Sequence, residues 1–192
     1  MTRIISGTVG GRLLVTPPGL GTRPTSDRVR EALFSRLEHL EVLQGARVLD
    51  LYAGSGALGL EAASRGAREV QLVERHRGAA DVAALNVRSL GLAQVLVHVE
   101  AVESFLLRGP AGERVDLVLL DPPYDLDEEA LADVLALLVA HSWLQADALV
   151  AVERSARSSP PRWPAGLAPA GERRYGETKV WFADAPGPDE VA

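Results

Sequence analysis

The ten residues Arg47-Val48-Leu49-Asp50-Leu51-Tyr52-Ala53-Gly54-Ser55-Gly56 decide the fold. Their first part, Arg47–Tyr52, is a short apolar run that reads as a buried strand. The glycines after it open a loop whose backbone N–H groups a ligand can approach closely. Seventy-one residues after Asp50 the same plan returns with different chemistry. The run Val115-Asp116-Leu117-Val118-Leu119-Leu120 leads into Asp121-Pro122-Pro123-Tyr124, a loop with a carboxylate, a carbonyl and an aromatic face.

Outward from these two loops the chain alternates strand and helix, the pattern of an α/β fold with a parallel sheet. Strands are expected at Arg47–Tyr52, Glu69–Val73, Val95–Val99, Asp116–Leu120 and Ala148–Glu153. Helices are expected at Leu58–Arg65, Arg77–Leu90, Glu103–Arg108 and Glu128–His141. The strands are nearly continuous Val/Leu runs, as strands covered on both faces require. A Pro-rich loop, Ser159 to Pro164, precedes a closing hairpin of Glu172–Tyr175 and Thr178–Ala183 around Gly176. Ahead of the alternation, Arg3 to Pro18 reads as two short strands around Gly10-Gly11. Thr25 or Ser26 then caps a helix whose apolar stripe holds Val29, Leu33 and Leu37, with Phe34 beside them. Three segments are expected: 1–40, a hairpin and arginine-rich helix extension; 41–184, the α/β domain; and 185–192, a disordered tail.

With 192 residues and 47% apolar content, one domain with a core is expected. There is no cysteine, which excludes disulfides and thiolate metal sites and fits a reducing, cytoplasmic setting. Met1 to Gly7 lacks the apolar core of a signal peptide, and the apolar stretch Leu131–Val152 is interrupted by Asp133, His141, Gln145 and Asp147. No membrane span is expected. The histidines at 39, 76, 98 and 141 show no metal-ligand spacing.

Net charge is −6, but residues 1–36 hold six arginines (Arg3, Arg12, Arg23, Arg28, Arg30, Arg36) against Asp27 and Glu31. Guanidinium forks suit phosphate. This segment, with Thr25 at the helix start, is therefore the candidate nucleic-acid contact.

Gly54-Ser55-Gly56-Ala57-Leu58-Gly59 matches a dinucleotide-type glycine pattern, and Glu74 ends the next strand, where an acid can accept ribose hydroxyls. Asp50 discriminates. A carboxylate just before the glycines repels a pyrophosphate but can help hold a cationic amino-acid group. That points to S-adenosylmethionine, which carries an ammonium and a sulfonium and no phosphate. Tyr52, Ala53, Gly54, Ser55 and Gly56 complete the expected cofactor loop. Substituting Val for Gly54 or Gly56 is expected to abolish cofactor binding while leaving most of the fold.

In the second loop two prolines stiffen an extended turn. The Asp121 carboxylate and Pro122 carbonyl are two acceptors aimed at one point, which suits an exocyclic –NH2 with its two donors. Tyr124 can stack on the ring that bears it. Asp121, Pro122 and Tyr124 are the catalytic candidates, with Pro123 beside the substrate.

Arg3-Ile4-Ile5-Ser6-Gly7, the run from Arg23 to Phe34, Asp50 to Gly56 and Asp121 to Tyr124 together resemble the RsmD family, over nearly the whole chain from Arg3 to about Phe182. The resemblance implies a Rossmann-like, seven-stranded methyltransferase sheet, mostly parallel with one antiparallel strand. It implies methylation of a guanine N2 in 16S rRNA within the small ribosomal subunit or its precursor, with S-adenosylmethionine as cofactor. By the same analogy Glu74 holds the ribose, and Glu100-Ala101 flank the adenine, although Glu100 stands where relatives often have Asp. A monomer without metal is expected. Three other readings stay open on the residues alone: a DNA or RNA adenine-N6 or cytosine-N4 amino-methylase, an NAD-dependent oxidoreductase, and a non-catalytic RNA-binding module. The first is disfavoured by the lack of a separate target-recognition domain, the second by the lack of a hydride-relay constellation, and the third by an intact Asp121-Pro122.

Overall fold

A computed structural model describes residues 2–17 and 27–187 of the chain. Nine strands and five helices follow in order among them. Strands β1 (Thr2–Arg3) and β2 (Leu13–Leu14) form a small antiparallel hairpin. Helix α1 (Asp27–His39) follows, and the expected capping residues Thr25 and Ser26 lie outside the described residues. Then come β3 (Arg47–Leu51), α2 (Ala57–Ser64), β4 (Glu69–Glu74), α3 (Arg77–Leu90), β5 (Val95–Val99) and α4 (Val102–Leu107). The chain continues through β6 (Val115–Leu120), α5 (Glu128–Ala140), β7 (Leu144–Ser155), β8 (Ala168–Tyr175) and β9 (Thr178–Asp184).

Strands β3 to β9 make one seven-stranded sheet in the order β5-β4-β3-β6-β7-β9-β8. Neighbours from β5 to β7 run parallel, and β9 runs antiparallel to both β7 and β8. The expected sheet, with a single antiparallel strand, is therefore present. The chain builds outward from β3 to β5, then returns to lay β6 against the other side of β3. That reversal leaves a crevice above the carboxyl ends of β3 and β6, where ligands bind in open α/β sheets.

Two apolar layers sandwich the sheet. One gathers Ile4, Leu14, Phe34, Leu37, Leu60 and Leu72 among others, from the hairpin, α1, α2 and β4. The other gathers Phe105, Leu106, Leu135, Leu138 and Trp143 beneath α4 and α5. The hairpin and α1 thus share a core with the sheet. The expected start of a disordered tail at 185 is corrected: Ala185 is buried and its N–H donates to the Ala148 carbonyl at 2.8 Å.

The hairpin and α1 are fastened to α2 by buried charge. Glu61, on α2, is fully buried. Its carboxylate accepts the N–H groups of Ile5 (2.8 Å) and Ser6 (3.1 Å), and it pairs with Arg65 at 2.7 Å and Arg30 at 3.8 Å. Arg30 also pairs with Asp27 at 3.0 Å and donates to the Arg3 carbonyl. A buried carboxylate is tolerable only when such donors surround it. Removing one member strands the others without water. Glu61→Ala is expected to cost about 3–5 kcal/mol, read as a fall in the urea midpoint. A loss below about 1 kcal/mol, the scale of an exposed pair, would show the network to be dispensable.

Candidate active site

Both motif loops open into one cavity of about 440 Å³, between the carboxyl ends of β3 and β6. Tyr52, Gly54 and Glu74 line it from the glycine-loop side, and Asp121, Pro122, Pro123 and Tyr124 from the other. The parallel pair Leu51↔Leu120 places the residues that follow each strand next to one another. The Asp121 N–H points to the Leu51 carbonyl at 3.5 Å, a long contact between the two loop starts.

The glycine loop is held from three directions. The Gly54 N–H donates to Glu74 Oε2 at 2.9 Å, while the other Glu74 oxygen accepts the His76 N–H at 2.7 Å. Glu74 thereby clamps the loop from the neighbouring strand and still faces the cavity. The Ser55 carbonyl accepts from Asn86 Nδ2 at 3.0 Å. Asn86 is buried on α3 and also exchanges hydrogen bonds with the Val15 backbone, which ties the loop to the end of the hairpin segment. The third hold is Asp50. Its Oδ2 accepts the Gly59 N–H at 2.8 Å, so it anchors the first turn of α2.

This placement corrects the reading of Asp50. It is 1% exposed, lies behind the loop and does not line the cavity, so it does not meet a cationic ligand directly. Its second oxygen has no hydrogen-bond partner. Burial pushes its carboxyl up to about 8, with Asp121 and Glu74 adding repulsion and the Gly59 N–H opposing the rise.

Tyr52 is the strained residue of the loop, with φ of 64° in the left-handed region. Such a conformation costs a non-glycine residue about 1–3 kcal/mol and needs support from its surroundings. Its ring packs beside the α4/α5 core, and burial raises the phenol above its ordinary value. The two glycines have different duties. A side chain at Gly54, φ 56°, would meet nothing within 4 Å, so space beside the loop is open there. One at Gly56 would stand 2.8 Å from Leu72 Cδ1 and 3.2 Å from Leu60 Cδ1, so Gly56 serves helix–sheet packing.

Ala53, Ser55, Gly56, Glu100 and Ala101 do not line the cavity. Glu100 is turned to Arg108 at 2.6 Å, and Ala101 precedes the first turn of α4. Sequence reading misses Val73, Arg75, His76, Val102, Glu103, Asp125 and Leu126, which complete the wall. Most of them lie at or just beyond the carboxyl end of an expected strand, and that position is the available signal. Among the described residues no group of three or more His, Cys, Asp or Glu could hold a metal, and no helix is long and apolar enough to cross a membrane.

The amino-terminal arginines are more divided than their charge implies. Arg30 is corrected outright: it is 1% exposed and engaged with Asp27 and Glu61, so it cannot meet a phosphate. Arg3 pairs with Asp27 at 3.5 Å, Arg12 donates to the Ser89 carbonyl at 2.8 Å, and Arg36 lies over the Phe182 ring. Arg28 is exposed. Arg23 and Thr25 lie outside the described residues.

A family model described as "Conserved hypothetical protein 95" matches residues 2–184. The chain is 37% identical over 191 residues to the Escherichia coli K12 "Ribosomal RNA small subunit methyltransferase D", covering 98% of this chain and 93% of that protein. It is 36% identical over 155 residues to the Haemophilus influenzae protein of the same name, covering 79% and 77%. A solved structure of a hypothetical protein from Thermus thermophilus superposes with a TM-score of 0.80 at 35% identity, covering 95% of this chain and 98% of that one. A SAM dependent methyltransferase from Aquifex aeolicus shares the fold, with a TM-score of 0.60 at 16% identity, covering 79% and 88%.

Two outcomes follow from the buried loop. Asp50 ionises near 3.8 in the unfolded chain and near 8 in the fold. Between those values the folded state holds the extra proton, so Asp50 makes stability fall as pH rises and flatten above about pH 8. Asp50→Asn keeps an acceptor for Gly59 and should remove that slope, seen in denaturation midpoints from pH 4 to 9. A slope unchanged in the variant would contradict the burial effect. Gly54→Val should lose cofactor binding with a modest loss of stability. Gly56→Val should lower the melting temperature as well, contrary to the expectation that both spare the fold. Melting curves beside calorimetric titration separate the two, and equal stability of the two variants would contradict this division of roles.

Proposed function

We propose, from the premise that this chain belongs to the RsmD family, that it methylates the exocyclic N2 amine of a guanine in the 16S rRNA of the small ribosomal subunit or its precursor, with S-adenosylmethionine as methyl donor. The observation that carries the reading is the convergence of Gly54, Glu74, Asp121, Pro122 and Tyr124 on one cavity. The relatives' names, ribosomal RNA small subunit methyltransferases, supply the substrate class. The enzyme is taken to act as a monomer in the cytoplasm without metal.

The cavity fits the donor. The Glu74 carboxylate faces it from the glycine-loop side, which suits a cationic molecule without phosphate, and there is open space beside Gly54. Glu74 is the acceptor for the ribose hydroxyls, and Tyr52 and the Gly54 backbone form the wall beside it. When bound, S-adenosylmethionine supplies a methyl group on a sulfonium centre.

The protein's own work is on the amine. An aryl amine is a weak nucleophile because its lone pair is delocalised into the ring. The Asp121 carboxylate and Pro122 carbonyl accept its two N–H bonds and favour a pyramidal nitrogen with the lone pair directed outward. The two prolines hold those acceptors in one arrangement, so positioning does most of the work. Tyr124, exposed at the rim, offers its face to the base. The N–C bond forms as the S–C bond breaks, and the surplus proton leaves the nitrogen to Asp121 or water.

Asp121→Ala should lower methylation by at least about a hundredfold, the scale of a positioned polar group, with cofactor affinity within about twofold. The measurement uses methyl-labelled S-adenosylmethionine, small subunits from a methylase-deficient strain and identification of the modified nucleoside. Label in N2-methylguanine of 16S rRNA supports the reading. Label in adenine or cytosine would overturn the base, and wild-type turnover by the Asp121 variant would overturn the mechanism.

A further inference from the structure

Between residues 153 and 179 the chain carries six cations and three carboxylates, against a net charge of −6 for the whole. Strands β7, β9 and β8, with the turn after β7, bring five of them (Arg154, Arg157, Arg173, Arg174 and Lys179) to one end of the sheet. Arg154 faces Lys179 and Lys179 faces Arg174, so three cations stand side by side in one cross-strand row. Like charges directly opposite one another destabilise a sheet. Two of the three are relieved locally. Arg154 pairs with Glu128 at 3.1 Å, and Lys179 pairs with Glu172 at 2.8 Å and lies over the Trp181 ring. Arg174 is exposed and its Nε donates to the Gly176 carbonyl at 2.9 Å. Arg173, also exposed, donates to the Glu172 carbonyl at 2.7 Å. Arg157 is exposed in the turn after β7, which the Ala156 N–H ties to the Glu177 carbonyl at 2.8 Å. Among the described residues, none of Arg157, Arg173 and Arg174 has a carboxylate within ion-pair distance.

This tip stands at the catalytic end of the sheet. Ser155 pairs with Thr178 and Thr178 with Tyr175, a few residues beyond the pair Leu120↔Val152, and Asp121 follows Leu120. Arg154 joins the two regions directly by donating to the Leu126 carbonyl at 3.0 Å. The amino-terminal arginines are partly consumed by burial and pairing, whereas these three are not.

We propose that the β8–β9 hairpin tip and the adjoining turn grip the phosphate backbone of the rRNA beside the target nucleotide, through Arg157, Arg173 and Arg174. The inference rests on the rRNA reading above. Guanidinium forks without carboxylate partners match phosphate oxygens bidentately, and each contact releases counterions from the RNA.

The test compares the full-length wild type with Arg157→Ala/Arg173→Ala/Arg174→Ala. The triple variant should raise KM for small subunits about tenfold at physiological salt and make log affinity against log salt shallower by roughly two to three units. Its kcat, its affinity for S-adenosylmethionine and its melting temperature should stay near wild type, because these side chains are exposed and away from the cavity. Lys at all three positions should keep most of the salt slope. If the triple variant fails to fold, Arg174→Ala alone should show roughly one third of the change in slope. An unchanged KM and slope in a folded variant would overturn the proposal. Weakened binding to subunits with intact binding to naked 16S rRNA would also overturn it, by showing a ribosomal protein as the contact. Failure of the rRNA reading is distinguishable: the wild type would then methylate no rRNA, whatever the hairpin variants do.

Discussion

The parallel pairing of β6 with β3 is the constraint on which the site depends. Leu51 and Leu120 are register partners, so whatever follows either strand is delivered to the same crevice. A glycine loop and an Asp-Pro-Pro-Tyr turn are each ordinary connections by themselves. They become one site because the chain reverses its direction of growth between β5 and β6 and inserts β6 at the inner edge of β3. No carboxylate or glycine in the loops has to specify that proximity. Buried apolar strand faces do, and those strands can sit nowhere else without exposing their Val and Leu side chains.

The loop itself is shaped by polar groups drawn from four other elements. Glu74 from β4, Asn86 from α3, Asp50 from β3 and the Gly59 N–H from α2 fix its path. This arrangement places a costly object, a buried carboxyl with one oxygen unbonded, directly beneath the glycine loop. It also explains why Tyr52 can hold a left-handed backbone: its neighbours leave it no alternative. Asn86 adds a link of another kind, because the same amide holds both the Ser55 carbonyl and the backbone at Val15. The hairpin segment and the glycine loop therefore share a support.

Charge shows the opposite lesson. The amino-terminal run looks like a phosphate-binding segment when counted, yet Arg30 is spent inside the fold against Glu61 and Asp27. Its partner Glu61 lies well beyond it in the chain, in a helix otherwise made of small and apolar residues. Meanwhile Arg173 and Arg174, in a strand with few apolar residues, come out exposed at the end of the sheet that carries the cavity.

The sequence by itself determined the alternation of elements and the two loops that line the cavity, because period, β-branching and Gly/Pro turn chemistry are local properties, while the seven-stranded sheet was what the family resemblance implied. Helix α3 and strand β5 appear at the expected residues for that reason. Strand β8 was only half legible, since an exposed edge strand with Pro169 and Gly171 lacks an apolar face to announce it. What only the tertiary structure decided was the use of the ionisable groups. Whether Asp50 meets a ligand or a helix N–H, and whether Arg30 meets phosphate or a buried carboxylate, depends on which groups the fold packs against each and on how much water remains around it. Those are properties of packing, which no local pattern encodes.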